Sequence, residues 1–78
     1  MSTDERIARA RRFLEGIGIT RATVEVEGHQ REIVALRVSA ESWERVMEDR
    51  VRIAAFANEA GFRYVSVDLR PLDDPAPA

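Results

Sequence analysis

The sequence predicts a single α+β domain in which two helices cover one face of a three-stranded mixed sheet, in the order α-β-β-α-β. Two segments repeat apolar residues every three or four positions, which is typical of amphipathic helices. Three other segments alternate apolar and polar residues, which is typical of half-buried strands. The length of 78 residues suits one domain with a thin core.

The first helix is predicted to begin after the capping side chains at residues 2–4 and to end at Gly16 and Gly18. Glycine ends helices because it adopts positive φ without steric cost. Between these limits the apolar residues keep a helical spacing, at Ile7, Ala10, Leu14 and Ile17.

A β-hairpin is predicted next. From Arg21 onward Ala22, Val24 and Val26 alternate with polar residues, residues 28–30 turn the chain, and residues 32–38 form a second strand. Ile33 and Ala35 make the outer face of this second strand apolar as well, so we expect it to be the central strand.

The second helix is predicted from Ala40, with Ser39 as its cap, to Ala60. Its apolar arc is wider than one sheet needs, because one stripe of residues is flanked by another. The first stripe contains Trp43, Val46, Ile53, Ala57 and Ala60, and the flanking stripe contains Met47, Val51 and Ala55.

The third strand is predicted at residues 62–69, parallel to the second, with Tyr64 pointing outward. Both helices then lie on one sheet face and the other face stays uncovered. The domain is expected to span residues 1–70, followed by a flexible tail of Pro, Asp and Ala at residues 71–78, because prolines cannot donate to a ladder.

The composition excludes several functions. The net charge is −2 and all 12 basic residues are arginine, so no broad positive field attracts nucleic acid and we expect no nucleic-acid partner. The absence of cysteine rules out disulfides, thiolate nucleophiles and sulfur donation. Without a signal-like or membrane-spanning apolar run, we expect a cytoplasmic protein and no membrane partner.

No residue is assigned to catalysis, a cofactor or a metal. His29 is the single histidine and lies in a predicted turn, whereas a metal site needs several ligands. The adjacent Asp73 and Asp74 lie in the predicted tail, where nothing would hold them in catalytic geometry. Arg50 lies within the apolar arc, so its guanidinium either extends to water or forms a structural ion pair with a carboxylate, that of Asp68 or one of another chain.

Six residues are predicted to form an interface, because together they leave more apolar surface than the elements can bury in one copy. Met47, Val51 and Ala55 lie on the predicted second helix, and Ile33, Ala35 and Tyr64 lie on the open sheet face.

The last strand, Gly61-Phe-Arg-Tyr-Val-Ser-Val-Asp-Leu69, resembles a known C-terminal signature that reads approximately G-F-x-Y-V-T-L-D-L. The signature belongs to the ATP-dependent sacrificial sulfur transferases of the nickel-pincer cofactor pathway, the LarE family of the PP-loop superfamily. Upstream, Ala8-Arg-Ala-Arg-Arg-Phe-Leu-Glu-Gly-Ile-Gly18 is similar to the family's A-E-x-x-L-x-x-L-G. Leu36-Arg-Val38 falls where its R-I-E-V strand lies, so the resemblance covers nearly the whole chain.

The resemblance carries no catalytic residue over. Family members have an ATP-pyrophosphatase domain with an S-G-G-x-D-S phosphate loop, and some supply a cysteine sulfur; this chain has neither. The family's R-V-R strand reads Thr23-Val-Glu25 here, and its E-G-Y-R-x-G-S continuation reads Arg70-Pro-Leu-Asp. Asp68 is the polar position that matches.

The resemblance therefore implies a non-catalytic, stand-alone homologue of a sulfur transferase C-terminal domain. It would act as a docking or oligomerisation subunit, for copies of itself or for a separate PP-loop ATPase. An alternative is a small K-homology-like RNA- or protein-binding module, since the element order is similar to the type II K-homology arrangement, although the G-x-x-G loop of that class is absent. A third hypothesis is an enzyme whose site forms between subunits, around Trp43, Arg50 and Tyr64.

Overall fold

The computed structural model describes residues 2–73, and the elements follow the predicted order. A 3-10 turn at Ala40–Ser42 precedes the second helical region. The helices are α1 (Thr3–Gly16), α2 (Trp43–Glu48) and α3 (Arg50–Glu59), and the strands are β1 (Ala22–Glu27), β2 (Ile33–Val38) and β3 (Tyr64–Val67).

The three strands form one mixed sheet with β2 in the centre, which confirms the predicted fold class. β1 pairs with β2 antiparallel, so that Val24 lies opposite Leu36, and β3 pairs with β2 parallel, so that Leu36 lies opposite Val67. These residues point toward the helices. Alternate residues, such as Ala35 opposite Ser66, point to the other face.

The core lies between the sheet and the helices. In the helices the stripe predicted to face the sheet is buried or half-buried, whereas the flanking stripe of the second helix is exposed. The aromatic rings of Phe13 in α1 and Phe56 in α3 stack with centroids 4.4 Å apart. Both helical regions therefore pack on one sheet face. The buried apolar residues are Ala10, Leu14, Ile17, Ile19, Val24, Val34, Leu36, Val38, Val46, Ile53, Ala57, Ala60 and Phe62.

The second helical region is divided, whereas the sequence predicts one continuous helix over residues 40–60. The break lies at Asp49, whose φ of −98° and ψ of 16° are not helical. Hydrogen bonds still bridge it, because Asp49 N donates to Arg45 O and Ile53 N donates to Asp49 O. The Arg50 guanidinium donates to the Met47 carbonyl at 2.7 Å, which supplies a partner at the end of α2 where helical carbonyls lack one.

The start of this region is also capped differently from the prediction. The Ser39 side chain makes no capping hydrogen bond and instead donates to the Ser42 hydroxyl at 3.2 Å. The Ala40 amide donates to Asp73 Oδ1 at 3.1 Å. The distant Asp73 carboxylate therefore accepts a hydrogen bond at the start of this region, where the sequence predicts a cap by the neighbouring Ser39.

The segment after β3 stays attached to β2. Leu72 N donates to Val38 O at 2.9 Å, and the Arg37 guanidinium donates to the carbonyls of Arg70 and Pro71, each at 3.0 Å. Residues 71–73, which the sequence assigns to a flexible tail, are thus hydrogen-bonded to the domain: Pro71 and Leu72 to β2, and Asp73 to Ala40. The rest of that predicted tail, 74–78, lies outside the described residues.

No helix within the described residues is both long and apolar enough to cross a membrane.

Candidate functional site

Two apolar patches remain at the surface. We call Ile33, Ala35 and Tyr64 the sheet patch, and Met47, Val51 and Ala55 the helix patch. Tyr64 keeps 59% of its surface exposed and Val51 keeps 74%. Met47 and Ala55 are also exposed, whereas Ile33 and Ala35 are half-buried. The predicted apolar excess is therefore present in the single copy.

The sheet separates the two patches. The sheet patch lies on the open face, because its residues alternate with buried residues along β2 and with half-buried residues along β3. The helix patch lies on α2 and α3, which pack against the opposite face. The six residues predicted as one interface therefore form two surfaces, and one flat partner cannot cover both at once.

The sheet patch is continuous because the strands place its members side by side. Ile33 and Tyr64 are register partners on adjacent strands, and Ala35 lies two residues along β2 from Ile33, opposite Ser66. The small side chains of Ala35 and Ser66 leave a shallow depression of about 430 Å³ on the open face. Its floor consists of these small side chains, and its rim is charged.

The rim has opposite charges at its two sides. Glu25 and Glu27 are exposed on β1, while Arg37 and Arg70 lie toward the end of β3. The Arg37 guanidinium is committed to two carbonyls, so it stiffens this side of the rim. A partner of the open face therefore meets carboxylates along β1.

Asp68 completes the arginine side of the rim. Its Oδ1 accepts a hydrogen bond from the Arg70 amide at 2.8 Å, and its Oδ2 lies 3.5 Å from the Arg70 guanidinium. The amide hydrogen bond, followed by the Arg70 guanidinium, lowers the pKa of Asp68 below its ordinary value. The carboxylate is therefore charged at neutral pH and supports the turn after β3.

The expected ion pair between Arg50 and Asp68 is corrected. Asp68 pairs with Arg70, two residues away, and the Arg50 guanidinium caps α2 through the Met47 carbonyl. Asp68 follows a strand on the open face, whereas Arg50 begins a helix on the other side of the sheet. Local partners were available to both residues, so neither reaches across the sheet.

The remaining residues considered from the sequence are His29, Trp43 and Asp73. His29 is exposed in the turn between β1 and β2, and residues 2–73 contain no cluster of histidine or acidic side chains able to hold a metal ion. Trp43 packs half-buried against the core. The Asp73 carboxylate accepts from Ala40 N, while Asp74 lies outside the described part of the chain.

Two arginine roles were missed from the sequence. Arg6 on α1 places its guanidinium 3.9 Å from the centroid of the Phe62 ring and donates from Nε to Ala60 O at 3.2 Å. Arg37 fastens the segment after β3. Both contacts join residues more than 30 positions apart, for which a local sequence pattern carries no signal.

Comparison of the sequence with models of known protein families gives no match, and no curated protein matches it in sequence.

Proposed function

We propose that this chain is a non-catalytic docking domain whose contact surface is the sheet patch on the open face. The resemblance to the C-terminal domain of the sulfur transferases suggests a PP-loop ATPase as the partner, in the cytoplasm. One observation carries the proposal: Tyr64 and Ile33 lie side by side on an uncovered sheet face. A large apolar side chain beside a shallow, small-residue floor is typical of a contact surface.

The charged rim would favour one orientation of a bound partner. Glu25 and Glu27 line the depression along β1, whereas Arg37 on β2 and Arg70 after β3 lie at its other end with Asp68. A partner with the opposite arrangement of charge would therefore fit in one orientation. At the arginine end, Asp68 pairs with Arg70 and supports the turn after β3. The open sheet face therefore serves to bind a partner.

Light scattering after size exclusion tests the proposal with the chain alone and mixed with a candidate PP-loop ATPase. We expect a complex with the wild-type chain and its loss with Tyr64→Glu, which places a charge at the patch. Val51→Glu, a matched change in the helix patch, should leave the complex intact. A chain that stays at monomer mass in both settings contradicts the proposal.

The order of helices and strands remains similar to the type II K-homology arrangement, but no other feature supports this alternative. The loops carry no G-x-x-G, and the open face presents Glu25 and Glu27, which repel a phosphate backbone. A mobility shift of RNA at low salt would favour it over the docking proposal.

A further inference from the structure

β1 is an edge strand with an uncovered outer side. It pairs with β2 without interruption from Ala22 to Glu27, and it contains no proline or glycine. Among residues 2–73, no backbone hydrogen bond outside the two ladders involves β1. Such a regular edge presents unpaired amides and carbonyls that can template another strand.

The side chains of β1 are complementary to a second copy of themselves. In an antiparallel pair centred on Val24, each side chain keeps its sheet face. On the core face Val24 meets its own copy, and Ala22 meets Val26. On the open face Thr23 meets Glu25, and Arg21, which precedes the strand, meets Glu27. The two-fold symmetry forms each unlike pair twice.

Neighbouring registers are less favourable. A register centred on Glu25 places this carboxylate opposite its own copy, and like charges directly opposite one another are destabilising. A register centred on Thr23 pairs the strand with the chain near Gly18, whose φ of 90° interrupts extended structure. The register centred on Val24 therefore combines full pairing with opposite charges.

The other edge strand, β3, is less suited than β1 to pairing with a second copy. β3 has four residues where β1 has six. An antiparallel self-pair centred on Ser66 would set Arg63 opposite Leu69, which joins a charged to an apolar residue. Beside β1, by contrast, a groove of about 280 Å³ lies under α1 and includes Arg11 and Glu15 in its lining. These two side chains have opposite charges and are self-complementary across a two-fold axis.

We propose that β1 binds β1 of a second copy of this chain, antiparallel and centred on Val24, to form a continuous six-stranded sheet. This inference adds a second contact surface to the proposed function and does not use the sheet patch. The dimer presents two sheet patches on one continuous open face, so that a partner with two sites gains avidity.

Charge reversal tests the register, followed by sedimentation equilibrium over a dilution series. The wild type should reach twice the chain mass of 8.8 kDa at high concentration. Glu27→Arg and Arg21→Glu should each weaken dimerisation about tenfold, because two pairs become repulsive. The double variant should restore it. Glu59→Arg, the same change on exposed α3, should have no effect.

Cysteine crosslinking provides an independent readout, since the chain contains no cysteine. A mixture of Thr23→Cys and Glu25→Cys chains should form an intermolecular disulfide under mild oxidation, because these positions face each other across the axis. Thr23→Cys alone should not, because its two copies are offset along the strands.

A monomer at every concentration, or a dimer unaffected by either charge reversal, would overturn the proposal. Either result would leave binding at the sheet patch standing, because Tyr64→Glu tests that surface separately. Conversely, a dimer that survives in a chain unable to bind the ATPase would support the β1 contact and contradict the docking proposal.

Discussion

Single side chains hold distant segments of this small domain together, and Arg6 is the clearest case. Its guanidinium lies on the Phe62 ring and donates to the Ala60 carbonyl. It thereby joins α1 to the loop that connects α3 with β3. A planar cation suits this position, because it can stack on a ring and donate at its edge together.

We expect Arg6→Ala to lower the free energy of unfolding by about 1 to 2 kcal/mol, the sum of a cation–π contact and a hydrogen bond. Arg6→Lys should recover only part of this, since an ammonium cannot make both contacts in the same geometry. Urea unfolding measures the effect. Arg12→Ala is the matched control on an exposed part of the same helix, and an equal loss there would refute the assigned role.

Asp68 makes the free energy of unfolding depend on pH in the acidic range. Its pKa is lowered in the folded protein, first by the Arg70 amide hydrogen bond. A lowered folded-state pKa contributes stability above the unfolded value, and this contribution disappears as the pH falls through the folded pKa. The free energy of unfolding of the wild type should therefore decrease below about pH 4. That of Asp68→Asn, which has no carboxylate at this position, should decrease less. Parallel unfolding profiles for the two proteins would contradict this.

The cause of that shift can be separated by a carboxyl carbon NMR titration. Arg70→Ala removes the guanidinium and keeps the backbone amide, so the pKa of Asp68 should rise toward its ordinary value and still remain below it. A complete return to the ordinary value would show that the guanidinium, and not the amide, is the main cause.

Among the elements, the divided second helical region departs most from expectation. Asp49 at the break has one carboxylate oxygen that is buried without a hydrogen-bond partner. The other oxygen lies 3.6 Å from the guanidinium of Arg52, which is largely exposed. An exposed pair contributes little to stability, whereas a buried unpaired oxygen is costly.

Asp49→Ala should therefore raise the free energy of unfolding by about 1 kcal/mol, because it removes the unpaired oxygen and improves helix propensity. Asp49→Asn keeps a polar group of the same shape, and we expect no comparable gain. Thermal unfolding of both variants checks the difference. A less stable Asp49→Ala protein would mean that the carboxylate supports the break.

The elements themselves could be predicted because their apolar periods are local. The strands and α1 follow from spacing, and the central position of β2 follows from its two apolar faces. The break at Asp49 and the cap at Ala40 could not be predicted in the same way. The cap at Ala40 depends on the Asp73 carboxylate, which is distant in sequence and reaches it only after the chain has folded. The break at Asp49 has a local hydrogen bond, from Arg50 to the Met47 carbonyl, but it interrupts an apolar spacing that also fits one continuous helix.

The composition of the candidate site and its division between the helix and the open sheet face were predictable from the sequence, whereas the charged rim around the sheet patch was not. Tyr64 and Val51 are exposed as the apolar excess requires. Their separation by the sheet follows from the layers of the fold. The pairing of Asp68 with Arg70 shows a similar limit, since a local turn partner was preferred over the distant Arg50.

Across the whole molecule, the helices cover one sheet face and leave the other open. The two faces of the sheet therefore differ: one packs against the helices in the core, and the other exposes the sheet patch with its charged rim. The edge strand β1 adds a third surface between them. The proposed docking function and the proposed β1 contact would therefore use different surfaces of the domain.

An NMR titration of the labelled chain with the PP-loop ATPase tests docking most directly, because amide shifts locate the contact. We predict shifts concentrated at Ile33, Ala35 and Tyr64, with the amides of Met47, Val51 and Ala55 unaffected. A spectrum that does not change over the titration, or changes confined to the helix patch, would contradict the assignment of the open face as the docking surface.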